Sequence, residues 1–199
     1  MPGSTASAKL KKDVDNRMKG GVTIIVLGAS GDLAKKKTFP ALYALFQNKF
    51  LPDKAQIVGY ARTKMDCDEF HKRVVSHLKS DDPDNDQQIK DFLSICHYVE
   101  GQYDQEEYWQ KLDAFVTELE DKQSLQKEQK NRIFYMALPP SVFVPVASGL
   151  RKFVYGKEAI TSVVIEKPFG KDLESCNALL EDIQHLFKEE EPLVDSHAY

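Results

Sequence analysis

The stretch Val22-Thr-Ile-Ile-Val-Leu27, followed at once by Gly28-Ala-Ser-Gly31-Asp-Leu-Ala34, decides the fold of this chain. The first part is apolar or β-branched on both faces, which is typical of a buried strand in a parallel sheet. The second part opens a helix and has the form G-x-x-G-x-x-A, a variant of the dinucleotide-binding fingerprint. A kinase-type P-loop is excluded, because Leu33 and Ala34 stand where that motif needs Gly and Lys.

Each small residue of this phosphate loop (residues 28–34) has a predicted purpose. Gly28 permits a tight turn, Gly31 lets the backbone approach a pyrophosphate, and Ala34 lets the helix pack on the strand. Backbone amides at the helix start would then face the anion, aided by the helix dipole. A glycine-rich turn without a ligand is the alternative, and the strand–turn–helix setting makes it the weaker one. Three lysines, at 35, 36 and 37, add positive charge nearby, although a solvated helix face explains at least two of them equally well.

Strand-like and helix-like segments alternate along the rest of the chain. Strands are predicted at 22–27, 56–61, 95–99, 132–137 and 162–165, and helices at 33–48, 68–78, around 89–93, 108–119, from a cap at Ser141, and at 172–188. Pro40 is expected to kink the first helix. This order predicts an α/β fold with a doubly wound, mostly parallel sheet, that is, a Rossmann-like dinucleotide-binding domain over residues 22–190. Ligands of such sheets lie beyond the carboxyl ends of the strands, here the loops at 28–34, 61–64, 137–141 and 166–170.

Composition excludes several other classes of protein. Among 199 residues, 27 are basic and 31 acidic, so a nucleic-acid binder that works by bulk positive charge is not expected. The longest clear apolar run, residues 22–28, is far below the roughly 20 residues of a membrane helix, so no membrane partner is expected. Residues 1–21 are predicted to be a disordered tail without a secretory signal. The widely spaced Cys67, Cys96 and Cys176 indicate reduced thiols and a cytoplasmic location, with no disulfide framework and no metal site.

The end of the second predicted strand indicates which dinucleotide is bound. NAD-binding folds place an acidic residue there against the ribose 2′-hydroxyl, whereas Arg favours the 2′-phosphate of NADP. Here the strand ends Gly59-Tyr60-Ala61-Arg62-Thr63-Lys64, which has a guanidinium and no acid. A surface Arg62 without a ligand contact is the alternative, and the phosphate loop upstream favours NADP.

The fifth predicted strand ends in Glu166-Lys-Pro-Phe-Gly170. Pro168 restricts Lys167 to an extended backbone, at the sheet edge where the cofactor is expected. A lysine there would be a fixed cation for a substrate oxygen or phosphate. Taken alone, a Lys-Pro-x-Gly sequence is more often a simple turn.

Together these motifs resemble the glucose-6-phosphate dehydrogenase family. The resemblance rests on Gly28-Ala-Ser-Gly-Asp-Leu-Ala-Lys-Lys-Lys37 with Pro40, Tyr60-Ala-Arg62, Phe134-Tyr-Met-Ala-Leu-Pro-Pro140 and Glu166-Lys-Pro-Phe-Gly170, and it runs from about residue 22 to about 190. It implies NADP-dependent oxidation of glucose 6-phosphate to the 6-phosphogluconolactone, the first step of the pentose phosphate pathway. Its implied cofactor-binding residues are Gly28, Ala29, Ser30, Gly31, Asp32, Leu33, Ala34 and Lys35 on the pyrophosphate, Arg62 on the 2′-phosphate, and Lys167 on both substrate and cofactor.

The chain departs from the family pattern near its end. Family members continue into an Arg-Ile-Asp-His-Tyr-Leu-Gly-Lys substrate motif, whereas this chain reads Glu190-Glu-Pro-Leu-Val-Asp-Ser-His-Ala-Tyr199. Residues 191–199 are therefore expected to be an atypical C-terminal tail. His197 is expected to be a frayed terminal residue, and His71, His77, His97 and His185 are predicted to lie away from the ligand edge, so none is a credible general base. We expect this chain to bind NADP weakly and to turn over glucose 6-phosphate little or not at all.

Two alternative functions stay open at this point. One is another NAD(P)-dependent sugar dehydrogenase, since related oxidoreductases also use a Glu-Lys-Pro loop. The other is a non-catalytic NADP-binding or interaction module that associates with full-length subunits.

Overall fold

The computed structural model describes residues 20–78, 85–156, 158–165 and 193–195. Most of the expected N-terminal tail, the loop that carries Lys167, the helix predicted at 172–188 and most of the expected C-terminal tail lie outside the described residues. The strands are β1 (Gly21–Leu27), β2 (Lys54–Ala61), β3 (Cys96–Glu100), β4 (Lys130–Met136), β5 (Thr161–Ile165) and β6 (Leu193–Asp195). The helices are α1 (Phe39–Gln47), α2 (Cys67–Val75), α3 (Asn85–Ser94), α4 (Glu106–Lys122) and α5 (Phe143–Phe153).

The strands form one sheet in the order β3-β2-β1-β4-β5-β6, and every neighbouring pair is parallel. β1 is central, and its last residue, Leu27, lies opposite Tyr60 of β2 and Met136 of β4. The order reverses between β1 and β4, which is where open α/β sheets have the crevice that receives a ligand. The predicted doubly wound, Rossmann-like fold is confirmed. The sixth strand was not predicted, and it pairs with β5 through Val163 and Leu193.

Both faces of the sheet are covered by apolar cores because side chains alternate along each strand. Ile25 and Leu27 of β1 face the core under α4 and α5, where Trp109 and Leu112 are buried. Ile24 and Val26 face the other core, built largely from aromatic and aliphatic side chains of α1, α2 and α3. This explains why β1 is buried over its whole length and reads as a continuous apolar run.

The first helical segment differs from its prediction. Residues Ala34–Thr38 form a π-helical turn, and α1 begins only at Phe39. Residues 32–47 are helical without a break, so Pro40 lies inside one helical stretch, and the π-helical turn directly before it is where the helix departs from α geometry. The cap predicted at Ser141 is also wrong, because Pro140–Val142 form a 3₁₀ turn and the residue before α5 is Val142, which makes no side-chain cap.

One charged side chain of β4 lies inside the core under α4. Arg132 is buried, and its Nε and Nη2 donate to the two carboxylate oxygens of Glu120, each at 2.9 Å. Its Nη1 donates at 2.7 Å to Asp113 and at 2.7 Å to the carbonyl oxygen of Val154. Burial disfavours the charge of Arg132, but Glu120 and Asp113 outweigh it and raise the pKa of the guanidinium. This network fastens α4 and the end of α5 to the amino-terminal edge of the sheet, opposite the phosphate loop.

Candidate functional site

The phosphate loop turns across the carboxyl end of β2 directly after β1. The N–H groups of Gly28 and Ala29 donate to the carbonyl oxygen of Tyr60 at 2.9 and 3.3 Å, and the N–H of Gly31 donates to Gly28 at 2.9 Å. These bonds shape the loop, but they also occupy three of its amides. The backbone amides of Ser30, Asp32 and Leu33 make none of the loop and turn hydrogen bonds of the described chain, and they stand at the start of the helix, where N–H groups have no carbonyl one turn before them. They are therefore the amides available to an anion.

The two glycines of the loop have different steric surroundings. Gly28 has φ +84°, and a Cβ there would lie 2.4 Å from the carbonyl oxygen of Ala137, at the end of β4. Any side chain at position 28 would therefore collide with the neighbouring strand end. A Cβ at Gly31 would meet only the Gly28 carbonyl oxygen, at 3.1 Å, and otherwise open space. That open space is what the close approach of a pyrophosphate requires.

The charged residues of the loop lie on its outer side. Asp32 is exposed, and its carboxylate accepts a hydrogen bond of 2.8 Å from Lys36, which lowers the pKa of Asp32. Lys36 and Lys37 are exposed on the helix surface, whereas Lys35 and Leu33 are partly buried and Ala34 is fully buried. The amide of Lys35 donates to the carbonyl oxygen of Gly31 at 3.1 Å and so begins the helix. Of these three lysines Lys35 is the one that is partly buried, so a solvated helix face accounts for it least well.

The end of β2 meets the phosphate loop at this same edge. Arg62 is exposed, and the hydroxyl of Thr63 donates to the hydroxyl of Ser30 at 2.9 Å. Thr63 and Ser30 are 33 positions apart in the chain, so this bond brings the neighbour of Arg62, the residue predicted to bind the 2′-phosphate, to the loop predicted to bind the pyrophosphate. No acidic side chain takes the place of Arg62, which is where NAD-binding folds present one to the ribose.

A tyrosine that the sequence analysis did not single out completes this edge. The ring of Tyr103, in the segment after β3, lies 5.8 Å from the Arg62 guanidinium. Burial raises the pKa of Tyr103 to about 12, while the charge of Arg62 and a hydrogen bond from the backbone of Gly28 act against that rise. Tyr103 therefore faces both Arg62 and the phosphate loop. The Gly-Gln-Tyr that follows β3 is a strand-end loop, and that position was the available signal.

The described histidines lie elsewhere in the structure. His97, at the start of β3, places Nε2 2.7 Å from Oε1 of Gln56. His71 on α2 places its Nε2 2.9 Å from the Cys96 carbonyl oxygen, and His77 is exposed beside Ser76. None of these three contacts the phosphate loop or Arg62. Lys167, the other predicted contact of substrate and cofactor, lies outside the described residues.

The part of the chain that the structure describes has neither a metal-binding cluster nor a helix that could span a membrane. No cluster of three or more His, Cys, Asp or Glu side chains there could hold a metal ion. Over the same ranges, no helix has both the length and the apolar composition needed to cross a bilayer.

Comparisons with known proteins agree with this geometry. The family model for the glucose-6-phosphate dehydrogenase, NAD binding domain, matches residues 25–192. The glucose-6-phosphate 1-dehydrogenase of Emericella nidulans is 50% identical over 174 residues, which are 87% of this chain and 33% of that protein. The corresponding protein of Saccharomyces cerevisiae is 42% identical over 177 residues, 88% of this chain and 35% of that protein.

A solved structure of glucose-6-phosphate dehydrogenase in complex with its substrate glucose-6-phosphate superposes with a TM-score of 0.82 at 38% identity. The match covers 88% of this chain and 36% of that one. This chain therefore spans about a third of the length of the proteins it matches. Because the family model covers most of its residues, the chain belongs to the glucose-6-phosphate dehydrogenase family, within the NAD-binding domain of that family.

Proposed function

We propose that the edge formed by the phosphate loop, Arg62 and Tyr103 binds NADP, and that this chain is the coenzyme-binding part of an enzyme that oxidises glucose 6-phosphate to the 6-phosphogluconolactone, the first step of the pentose phosphate pathway. The observation that carries the proposal is the contact between Thr63, next to Arg62, and Ser30 of the phosphate loop. It brings an exposed guanidinium beside a loop whose glycine faces open space.

Different residues on this edge would bind different parts of the coenzyme. The free amides of Ser30, Asp32 and Leu33 would hold the pyrophosphate, and the helix dipole would favour its negative charge. Arg62 would take the 2′-phosphate with a bidentate, charge-assisted pair of hydrogen bonds. Such hydrogen bonds contribute about 1.5–3 kcal/mol, so the preference for NADP over NAD should be roughly ten- to a hundredfold. When bound, the nicotinamide ring supplies the hydride acceptor.

Lys167 has the role that the family resemblance implies. It would contact both glucose 6-phosphate and the coenzyme as a fixed cation. We propose this role from the Glu166-Lys-Pro-Phe-Gly170 motif and from the position of that motif directly after β5, whose last residue is Ile165. The carboxyl end of β5 belongs to the same sheet edge as the ends of β1 and β2.

The test is a calorimetric titration of the 199-residue chain with NADP and, separately, with NAD. The wild type should bind NADP more tightly. The Arg62→Ala variant should lose this preference while its affinity for NAD changes little. Arg151→Ala is the matched control, because Arg151 also lies over a tyrosine ring, that of Tyr155 at 4.4 Å, but on α5. Equal affinity of the wild type for both dinucleotides would contradict the proposal.

A second function, a non-catalytic NADP-binding module that associates with full-length subunits, is favoured by one observation. Of the described histidines, His71 and His97 are hydrogen-bonded to Cys96 and Gln56, and His77 is exposed beside Ser76, so none of the three is held by a hydrogen bond to the phosphate loop or Arg62 as an imidazole base for a sugar hydroxyl. A general base contributes roughly 10²–10⁴ in rate. Spectrophotometric assay of NADPH formation separates the two functions. Substantial turnover by this polypeptide favours the enzyme, whereas co-purification with full-length dehydrogenase without turnover favours the module.

We also propose that the protein acts in the cytoplasm. Two Arabidopsis thaliana relatives, 44% and 43% identical, carry the word cytoplasmic in their names. Cys67 and Cys96 are both unpaired thiols, which fits a reducing compartment. Fluorescence microscopy of the tagged chain tests this location, and a signal confined to an organelle would contradict it.

A further inference from the structure

A tyrosine of β3 is fastened to the backbone on both sides of Arg62. The hydroxyl of Tyr98 lies 3.2 Å from the carbonyl oxygen of Ala61 and still closer to that of Thr63. The Ala61 oxygen already accepts a hydrogen bond of 3.0 Å from the N–H of Gly101. The Tyr98 hydroxyl therefore donates its single proton to the carbonyl oxygen of Thr63, the residue that immediately follows Arg62.

The same short segment connects Tyr98 to the phosphate loop. Thr63 accepts from Tyr98 through its backbone oxygen and donates to Ser30 through its side chain. Arg62 and Thr63 are both exposed and lie just after the last residue of β2. The Gly101 amide holds the residue that precedes Arg62, and these two hydrogen bonds hold the residue that follows it.

Tyr98 is itself firmly positioned. It lies opposite Gly59 in the β2–β3 register, and its ring packs against Phe70 of α2 with centroids 5.1 Å apart. Burial raises the pKa of Tyr98 well above its usual value. Its hydroxyl therefore stays protonated and able to donate at any pH at which the protein would be assayed.

We propose that Tyr98 is a positioning residue for coenzyme selectivity: its hydroxyl holds the Ala61–Thr63 backbone so that the Arg62 guanidinium is ordered before the 2′-phosphate arrives. The proposal rests on the proposed function of Arg62. A backbone ordered in advance spares the binding step the cost of ordering it. Because the 2′-phosphate is what separates NADP from NAD, the effect of Tyr98 should be confined to NADP.

The experiment uses Tyr98→Phe in the 199-residue chain, with NADP and NAD titrated separately by calorimetry. Phe keeps the ring on Phe70 and removes only the hydroxyl. The loss of one hydrogen bond to an exposed loop should weaken NADP binding about three- to tenfold. NAD binding should change by less than about twofold, since the Tyr98 hydroxyl makes no direct contact with the residues proposed to face the pyrophosphate and the Thr63–Ser30 hydrogen bond is left in place. Tyr155→Phe is the matched control, because that hydroxyl donates to a strand-end carbonyl oxygen, of Thr161 at 3.2 Å, away from the coenzyme edge.

A double-mutant cycle with Arg62→Ala separates positioning from general stability. If Tyr98 acts through Arg62, then Tyr98→Phe should leave the NADP-to-NAD affinity ratio unchanged once Arg62 is alanine. Equal weakening of both dinucleotides, no weakening at all, or a Tyr98→Phe variant that does not fold would each overturn the proposal. If the wild type shows no preference for NADP, the proposed function itself fails. That result is read from the wild type alone, whereas the outcomes that overturn the role of Tyr98 are read from the Tyr98→Phe variant.

Discussion

Removing the buried guanidinium of Arg132 should be among the most damaging single changes in this protein. In the Arg132→Met variant, the carboxylate of Glu120 loses both of its 2.9 Å hydrogen bonds and stays where only 1% of its side chain is exposed. The other nearby donor is the hydroxyl of Thr23, at 3.5 Å. That distance is too long to replace a bidentate ion pair. Asp113 suffers less, because 39% of its side chain is exposed to water.

The size of the effect follows from this burial. Breaking a buried ion pair by removing one partner costs about 3–5 kcal/mol, because the remaining charge is left uncompensated. A domain is stable by only about 5–15 kcal/mol, so Arg132→Met should leave the fold marginal at neutral pH. Removing both charges avoids the stranded carboxylate. The double variant Glu120→Leu, Arg132→Met should therefore lie within about 1–2 kcal/mol of the wild type.

Urea unfolding at pH 7, followed by far-UV circular dichroism, measures the free energy of unfolding of each variant. Arg73→Met is the control, since Arg73 makes an exposed ion pair of 3.2 Å with Glu69 within α2. Such a pair contributes at most about 1 kcal/mol. The prediction is contradicted if Arg132→Met costs no more than Arg73→Met, or if the double variant is as unstable as Arg132→Met.

Two further predictions concern the phosphate loop and β3. Gly28→Ala should destabilise the fold by more than about 2 kcal/mol, because it adds strain at φ +84° to a contact of 2.4 Å with Ala137, whereas Gly31→Ala should melt close to the wild type and lose coenzyme affinity. Thermal melts and NADP titration of the two variants check this, and equal melting temperatures would contradict it. Burial lowers the pKa of His97 in the folded protein, and the positive charges of His71 and Lys122 lower it further. As the pH falls below about 6.5, His97 therefore becomes protonated in the unfolded chain before it does in the folded one. Stability should therefore be steady above that pH and decrease below it, and His97→Gln should flatten the profile in urea titrations from pH 8 to 5; identical profiles would count against burial of a neutral imidazole.

Five of the six strands were predictable because their burial in the sheet is reflected in the apolar residues of their sequences. β1 is buried over its whole length and reads as an apolar, β-branched run, and β2 and β4, its neighbours in the middle of the sheet, are largely buried and contain apolar runs. β6 is three residues long, and its place follows from pairing with β5 rather than from any periodic pattern. The burial of Arg132 could not be predicted either, but for a different reason. A charged residue at a strand start reads as exposed, and only the packing of α4 across the sheet brings Glu120 and Asp113 to it.

The order of the first five strands and their helices, the glycines of the phosphate loop and the guanidinium at position 62 are all legible along the chain. These are local properties, since a turn that needs Gly28 or a strand that is buried on both faces imposes its requirement on neighbouring residues. Which side chains meet at the coenzyme edge depends instead on how distant segments pack. Ser30, Thr63, Tyr98 and Tyr103 come from separate segments, and their contacts depend on parallel pairing of β1 with β2 and of β2 with β3. A hydrogen bond is specific to a few tenths of an ångström, and no pattern along the chain carries distances between segments at that precision.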